Sequence, residues 1–215
     1  GGVIGLFFFG WAVLCEKFAV GNVCYALIGA AIPLMISGGF HVDGYMDTMD
    51  AFHSYQSREK KLEILKDSHI GAFAVIMLAL YYMIDIAAIS EIHTQKAVSA
   101  LAAVFFLARC FSGIAVMTLQ PAKKEGLLYT FASSAQKVMV KAALYFQTVL
   151  CVVLMLLVSG WYGAAAIGAA LLSFFYFKKK SYKELGGITG DTAGFFVTVC
   201  EAAAAAAVAV AGYFL

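Results

Sequence analysis

The sequence has few charged residues and little proline. Only 13% of its 215 residues are charged, 63% are hydrophobic, and Pro33 and Pro121 are its two prolines. A soluble domain carries about 25% charged residues, so this composition excludes an ordinary soluble protein and indicates an integral membrane protein. No internal repeat or polar linker marks a domain boundary. We therefore predict one all-α domain over residues 1–215, a polytopic helical bundle in the membrane.

Cysteine motifs and an excess of basic charge are also missing. The five cysteines are scattered through apolar segments without Cys-x-x-Cys spacing, which argues against a zinc site or a disulfide framework. We expect them to be small core residues. The net charge is only +2, and membrane topology accounts for the lysines, so no nucleic-acid partner is predicted.

Apolar stretches long enough to cross a bilayer, about 20 residues each, are the dominant feature of the chain. They cover 18–37, 70–90, 97–119, 142–160, 161–177 and 192–215, and residues 1–14 look like the latter part of one more. This predicts about six to seven transmembrane helices. Because the chain begins within an apolar run and without Met, we expect its natural N-terminus to lie upstream.

The basic residues orient these spans. Loops 38–69, 120–141 and 178–191 carry most of the lysines and arginines, whereas the intervening loops hold only Lys17 and Lys96. By the positive-inside rule the three basic loops face the cytoplasm. Within the first of them, Lys60 and Lys61 are expected to face lipid headgroups.

Three aspartates in the first basic loop share one predicted helix face. Asp43, Asp47 and Asp50 are four and three residues apart, which on an α-helix keeps their side chains within about 40° of each other. Like charges this close repel, and oxygen ligands suit Mg²⁺. We therefore predict a metal or phosphate site; the alternative is a helix start whose acids face water. Asp67 is predicted to be either a fourth metal ligand or the N-cap of the next span.

Two further polar features lie near the predicted cytoplasmic ends or within the spans. Residues 186–194 are rich in glycine and precede a span, so their backbone N–H groups could hold a phosphate; a turn capped by Asp or Thr is the alternative. Arg109 lies within an apolar helix, where its charge needs a partner. The candidates are Asp85, Glu201 and a substrate phosphate.

Several ordered blocks closely resemble the cobalamin synthase family, also called adenosylcobinamide-GDP ribazoletransferase. The main blocks are Gly-Gly-Phe-His-Val-Asp-Gly-x-x-Asp-Thr-x-Asp (38–50) and Arg-Glu-x-x-Leu-Glu-Ile-x-Lys-Asp-Ser-x-Ile-Gly-Ala-Phe (58–73). Residues 108–109, 124–127, 186–194 and Glu201 continue the match in register. The chain departs from the family at His69, where an Arg is usual, and at Phe195, where a shorter aliphatic residue is usual.

The resemblance implies an Mg²⁺-dependent transferase of the prokaryotic inner membrane, with its active site facing the cytoplasm and membrane lipid around it. The substrates would be adenosylcobinamide-GDP and α-ribazole or its 5′-phosphate. The ribazole 3′-hydroxyl would attack the phosphorus on the cobinamide side, giving adenosylcobalamin or its phosphate, and GMP. This is the last stage of coenzyme B12 assembly. Whether the chain is a monomer or a homo-oligomer is left open.

The resemblance also suggests roles for individual residues. One or two Mg²⁺ ions would be held by Asp43, Asp47, Asp50 and Asp67. Either Asp191 or Asp67 would act as the general base. Substrate contacts would come from His41, Arg58, Arg109, Thr189, Gly190 and Thr192, with Arg109 stabilising negative charge.

Two other classes are weighed against this one. A CDP-alcohol phosphotransferase follows Asp-Gly with Ala-Arg, whereas Tyr45-Met46-Asp47 follows Asp43-Gly44 here. A cation transporter places its acids near the bilayer midplane, often in two repeated halves. In this chain the acids cluster at the ends of spans and no repeat is found.

Overall fold

The computed structural model describes residues 1–122 and 137–214, and this part of the chain folds into nine α-helices. This confirms the prediction of an all-α bundle. Seven of these helices overlap the predicted apolar stretches, and the other two, which cover 40–53 and 58–64, lie in the first basic loop. The helices are α1 (Gly2–Lys17), α2 (Asn22–Ser37), α3 (Phe40–His53), α4 (Arg58–Ile64), α5 (Ala72–Ile89), α6 (Gln95–Thr118), α7 (Lys137–Ser159), α8 (Trp161–Leu185) and α9 (Gly190–Gly212).

Four helices of the described chain are long and apolar enough to cross a membrane, namely α5, α6, most of α7, and α9. Helices α2 and α3 add a fifth span if they are counted together, although they meet at an angle of 96°. The prediction of six to seven spans exceeds this number. One reason is that α1 has only 16 residues, which is short for the hydrocarbon core of a bilayer.

The sharp bend between α2 and α3 is made by two glycines. Gly38 and Gly39 have φ angles of 64° and 81°, in the left-handed region that side chains with a Cβ avoid. They end α2 and turn the chain so that α3, with its aspartates, runs across the bundle instead of continuing along α2.

Helix α9 is the centre of the bundle and packs against α3, α5, α6 and α8. Its alanine-rich sequence allows this close packing, and most of its residues are buried. Phe195, where the chain departs from the family pattern, is fully buried and stacks on Tyr45 of α3 with the ring centroids 5.9 Å apart. The larger residue therefore fills the contact between α3 and α9.

The described parts of the three basic loops meet at one end of the bundle. Ile188 forms an isolated β-bridge with Pro121, and α4 packs against the end of α8. At the opposite end, Asn22 donates to the Ser90 carbonyl and Tyr213 donates to Glu91. The described residues of the three basic loops therefore share one end of the bundle, as their order along the chain predicted. The family match at residues 124–127 and the loop lysines Lys123 and Lys124 lie outside the described residues.

Candidate active site

Helices α3 and α9 cross in direct backbone contact, because glycines face each other there. A Cβ on Gly44 would lie 2.8 Å from the Asp191 carbonyl oxygen, and one on Gly194 would lie 3.1 Å from the His41 carbonyl oxygen. The Thr198 hydroxyl also donates to the His41 carbonyl at 3.2 Å. The crossing therefore brings the start of α9 against the acid-bearing turns of α3.

The crossing gathers four carboxylates. Asp47 is half-buried, and its charged neighbours are Asp43, Asp191 and Asp50. We call these four residues the acidic crossing. Asp43 is exposed and Asp191 is half-buried, so the group opens to solvent. The sequence predicted the three acids of α3 as one group, but it assigned Asp191 to a separate glycine-rich loop.

Asp50 has a structural task within this group. Its two carboxylate oxygens accept hydrogen bonds from the Gly71 N–H at 2.6 Å and the Ala74 N–H at 2.8 Å. These donors belong to the start of α5, whose first N–H groups have no partner within the helix. Asp50 thus caps α5 from another helix, a role that the sequence offered to Asp67 as one alternative.

Asp67 lies apart from the acidic crossing. Its side chain is 55% exposed and pairs with His69 at 2.6 Å between Oδ1 and Nδ1. The pKa of Asp67 is lowered, first by the hydrogen bond from the His69 side chain and then by that from the His69 N–H. Within the described residues, Asp67 is not among the charged neighbours of Asp47. The structure therefore gives no support to Asp67 as a ligand beside the α3 acids.

The acidic crossing does not by itself form a complete metal site. Over residues 1–122 and 137–214, no three His, Cys, Asp or Glu side chains converge in a geometry that could hold an ion by themselves. Mg²⁺ seldom needs such a cage, because it usually binds one or two carboxylates and completes its shell with water and substrate phosphates. Neighbouring carboxylates at the crossing are the oxygen donors that this arrangement requires.

The start of α9 is fixed by a capping box. The Thr192 N–H donates to the Thr189 hydroxyl oxygen at 3.1 Å, and the Thr189 N–H donates to the Thr192 hydroxyl oxygen at 2.8 Å. Thr192 is fully buried, so we assign it this capping role in place of the predicted substrate contact. Gly190, in the first turn, is exposed at the positive end of the helix.

The glycine-rich loop that leads into α9 is held on two sides. The Ile188 N–H donates to the Gln120 carbonyl at 3.0 Å, and the Ile188 carbonyl accepts from the Ala122 N–H at 2.8 Å. On the other side, the Arg58 guanidinium covers Gly186, where any Cβ would collide with it. The predicted substrate contact Arg58 is therefore next to the loop that carries Thr189 and Gly190.

Arg109 and His41 line a cavity that does not include the four acids, although the His41 carbonyl contacts α9 at the crossing. The Arg109 guanidinium pairs with Glu201 on α9 and also donates to the Phe105 carbonyl at 2.9 Å. His41, Arg109 and Glu201 line a small cavity whose lining includes none of the four acids. Of the three partners considered for Arg109, the structure shows the structural one, Glu201. The Nδ1 atom of His41 is buried there, with no hydrogen-bond partner among the described residues.

The prediction made for Lys61 was wrong. It was expected to face lipid headgroups, but its side chain is only 8% exposed and forms an ion pair with Glu184 of α8. A lysine in a short amphipathic helix usually faces water, and no local pattern pointed to a partner 123 residues away. The neighbouring Lys60 is 60% exposed, as expected, and pairs with Glu63 on the surface.

Comparisons with known proteins identify the family of this chain. The model of the cobalamin-5-phosphate synthase family matches residues 1–209. An adenosylcobinamide-GDP ribazoletransferase of Lachnoclostridium phytofermentans is 42% identical over 211 residues, which are 98% of this chain and 80% of that protein. A protein of the same name from Clostridium botulinum (strain Alaska E43) is 30% identical over 174 residues, 79% of this chain and 68% of the relative.

A third relative of the same name, from Clostridium perfringens (strain SM101), is 28% identical over 202 residues, 93% of this chain and 79% of that protein. No solved structure matches the chain. The family model covers nearly the whole sequence, and the first relative is similar along almost all of it. The chain therefore belongs to the cobalamin-5-phosphate synthase family.

Proposed function

We propose that this chain is an adenosylcobinamide-GDP ribazoletransferase of the prokaryotic inner membrane. It joins α-ribazole, or its 5′-phosphate, to adenosylcobinamide-GDP and releases GMP. The names of the relatives support this reaction. The observation that carries the proposal is the acidic crossing, in which Asp43, Asp47 and Asp191 lie together beside the exposed start of α9.

The donor set favours Mg²⁺ bound jointly by the protein and the diphosphate. Asp43 and Asp47 would hold the ion, while Asp50 orients α5 through the N–H groups that it accepts. When bound, Mg²⁺ would neutralise the diphosphate and stabilise the charge on the departing phosphate. Asp67, which pairs with His69 away from the crossing, is not part of this set.

The proton of the attacking hydroxyl goes to Asp191. A carboxylate in direct contact with a dication keeps a low pKa and is a poor base, so the base is best placed beside the ion and not on it. Asp191 meets this condition, and its Oδ2 accepts a hydrogen bond from the Thr189 hydroxyl at 3.3 Å, which orients it. The bond from the ribazole 3′-oxygen to phosphorus forms as the bond from phosphorus to GMP breaks.

The leaving GMP phosphate is placed against the glycine-rich loop. Gly190 offers a backbone approach at the positive end of α9, where an anion is stabilised. Arg58, next to Gly186, supplies a cation that can bind phosphate oxygens through two parallel hydrogen bonds. Because these groups lie at the end where the basic loops gather, the site would face the cytoplasm.

Product formation by full-length protein in lipid tests this function. The protein is mixed with adenosylcobinamide-GDP, α-ribazole and Mg²⁺, and both GMP and the corrinoid are followed by chromatography. We expect GMP and cobalamin in equal amounts, and neither product in excess EDTA. A folded sample without turnover would overturn the reaction, and turnover that persists in EDTA would overturn the role of Mg²⁺.

A further inference from the structure

A buried ion-pair cluster joins α4 to the end of α8. Lys61 pairs with Glu184, and Lys180, one turn before Glu184, approaches its other carboxylate oxygen at 3.0 Å. The side chains of Lys61 and Glu184 are only 8% and 13% exposed. A single carboxylate therefore holds two lysines where α4 meets the bundle.

Burying charge is costly, so the Lys61–Glu184 pair bears on how firmly α4 is held to α8. Breaking a buried pair is destabilising: without Glu184, Lys61 would be buried with no compensating charge, and without Lys61, Glu184 would keep only Lys180. The Lys60–Glu63 pair in the same helix is 60% and 67% exposed, and a pair of that kind contributes little. Lys61 therefore helps to hold α4 in place, whereas the adjacent Lys60 contributes little to the fold.

Helix α4 depends on such a contact for its position. It has seven residues, and a helix this short is not stable without tertiary packing. Arg58 and Lys61 are three residues apart and lie on the same face. The face that carries the buried ion pair is therefore also the face that lays the Arg58 guanidinium over Gly186.

We infer that the Lys61–Glu184 pair is a latch that positions Arg58 over the glycine-rich loop, so that its guanidinium meets the diphosphate of the nucleotide-bearing substrate. This inference rests on the proposed function for the identity of the substrate. In the part of the chain that the structure describes, the Arg58 guanidinium makes no hydrogen bond, so its donors remain for a ligand. Lys61 and Glu184 are positioning residues, since they act through Arg58.

The latch also reaches the helix that carries the acids. The Lys180 ammonium lies 5.3 Å from the centre of the Phe52 ring on α3, within the range of a cation–π contact. The same cluster thus ties α8 to α3 and to α4. The relative placement of the acidic crossing and Arg58 depends on this junction.

Kinetics of Lys61→Met, with Lys60→Met as the matched control, test the latch. Misplacing a substrate-binding group by about 1 Å can cost about 100-fold in rate. We expect Lys61→Met to lower kcat/KM for adenosylcobinamide-GDP by up to that factor, mostly through a raised KM. Lys60→Met should match wild type, and Lys61→Arg should recover most of the loss. Glu184→Gln should reproduce Lys61→Met, and the double variant should be no worse than either single one.

Hydrogen–deuterium exchange gives a readout that does not require turnover. In Lys61→Met, the amides of 58–64 and those of 186–190 should exchange faster together, while Lys60→Met leaves both segments unchanged. An inactive wild-type sample would overturn the proposed function, and this exchange would still test the latch. The latch would be overturned if exchange at 186–190 were unchanged in Lys61→Met. It would also be overturned if the kinetics of Lys61→Met equalled those of Lys60→Met.

Discussion

Two groups of charged side chains in this apolar protein differ in how their charge is balanced. The acidic crossing brings Asp47 together with three other carboxylates and opens to solvent. The Arg109–Glu201 pair, between α6 and α9, joins opposite charges that are 18% and 6% exposed. Like charges held together are stabilised by a bound cation, whereas opposite charges held together balance each other. The first arrangement is suited to binding and chemistry and the second to holding helices in place.

Removing Arg109 should have the largest effect of these variants, and that effect is a loss of stability. Arg109→Met leaves Glu201 buried without its partner, and breaking such a pair costs about 3–5 kcal/mol. Thermal unfolding in detergent should show a large drop, whereas Arg109→Met combined with Glu201→Leu should recover much of it. If Arg109→Met were as stable as wild type but inactive, the pair would be part of the chemistry and the comparison would fail.

Asp191→Asn should lower activity and leave stability largely unchanged. Loss of a general base lowers kcat by about 100-fold or more, while the capping box of Thr189 and Thr192 remains. Steady-state kinetics and unfolding on one preparation would separate the two effects. Full turnover in Asp191→Asn would move the base elsewhere.

Asp50→Ala should affect stability moderately, because it deprives the Gly71 and Ala74 N–H groups of their acceptor. Loss of a helix cap costs about 1–2 kcal/mol. Asp50→Asn keeps one carbonyl acceptor and should cost less in the same unfolding measurement. Equal stability of both variants and wild type would contradict the capping role.

Asp67→Asn should have the smallest effect. The side chain is exposed and bonded to His69, away from the acidic crossing. We expect turnover within about twofold of wild type, as for an exposed pair that contributes little. A large loss of activity, with binding of Mg²⁺ weakened in parallel, would return Asp67 to the site.

Local sequence patterns were enough to predict the helices and the grouping of the α3 acids. Apolar stretches of span length locate most of the helices, and the spacing of Asp43, Asp47 and Asp50 puts them on one face. The position of Arg109 within an apolar stretch also indicated that its charge needs a partner. Glu201 was among the candidate partners.

Contacts between distant segments were beyond such patterns. Gly44 and Gly194 are ordinary small residues until α3 and α9 cross, and only the crossing adds Asp191 to the other acids. Asp50 caps a helix that begins more than 20 residues later, and Lys61 pairs with Glu184 where α4 contacts α8. Each of these partners is set by packing, which leaves no periodic trace in the sequence.

The most direct test of the acidic crossing is Asp47→Asn, measured for product formation and unfolding in the same lipid-reconstituted preparation. Asp47 is the residue whose charged neighbours include all three other acids. We predict that GMP and cobalamin formation fall by about 100-fold or more, as for loss of a preorganised electrostatic group. The unfolding temperature should stay the same or rise, because a like-charge repulsion is relieved. Wild-type turnover in Asp47→Asn would contradict the assignment of this crossing as the active site.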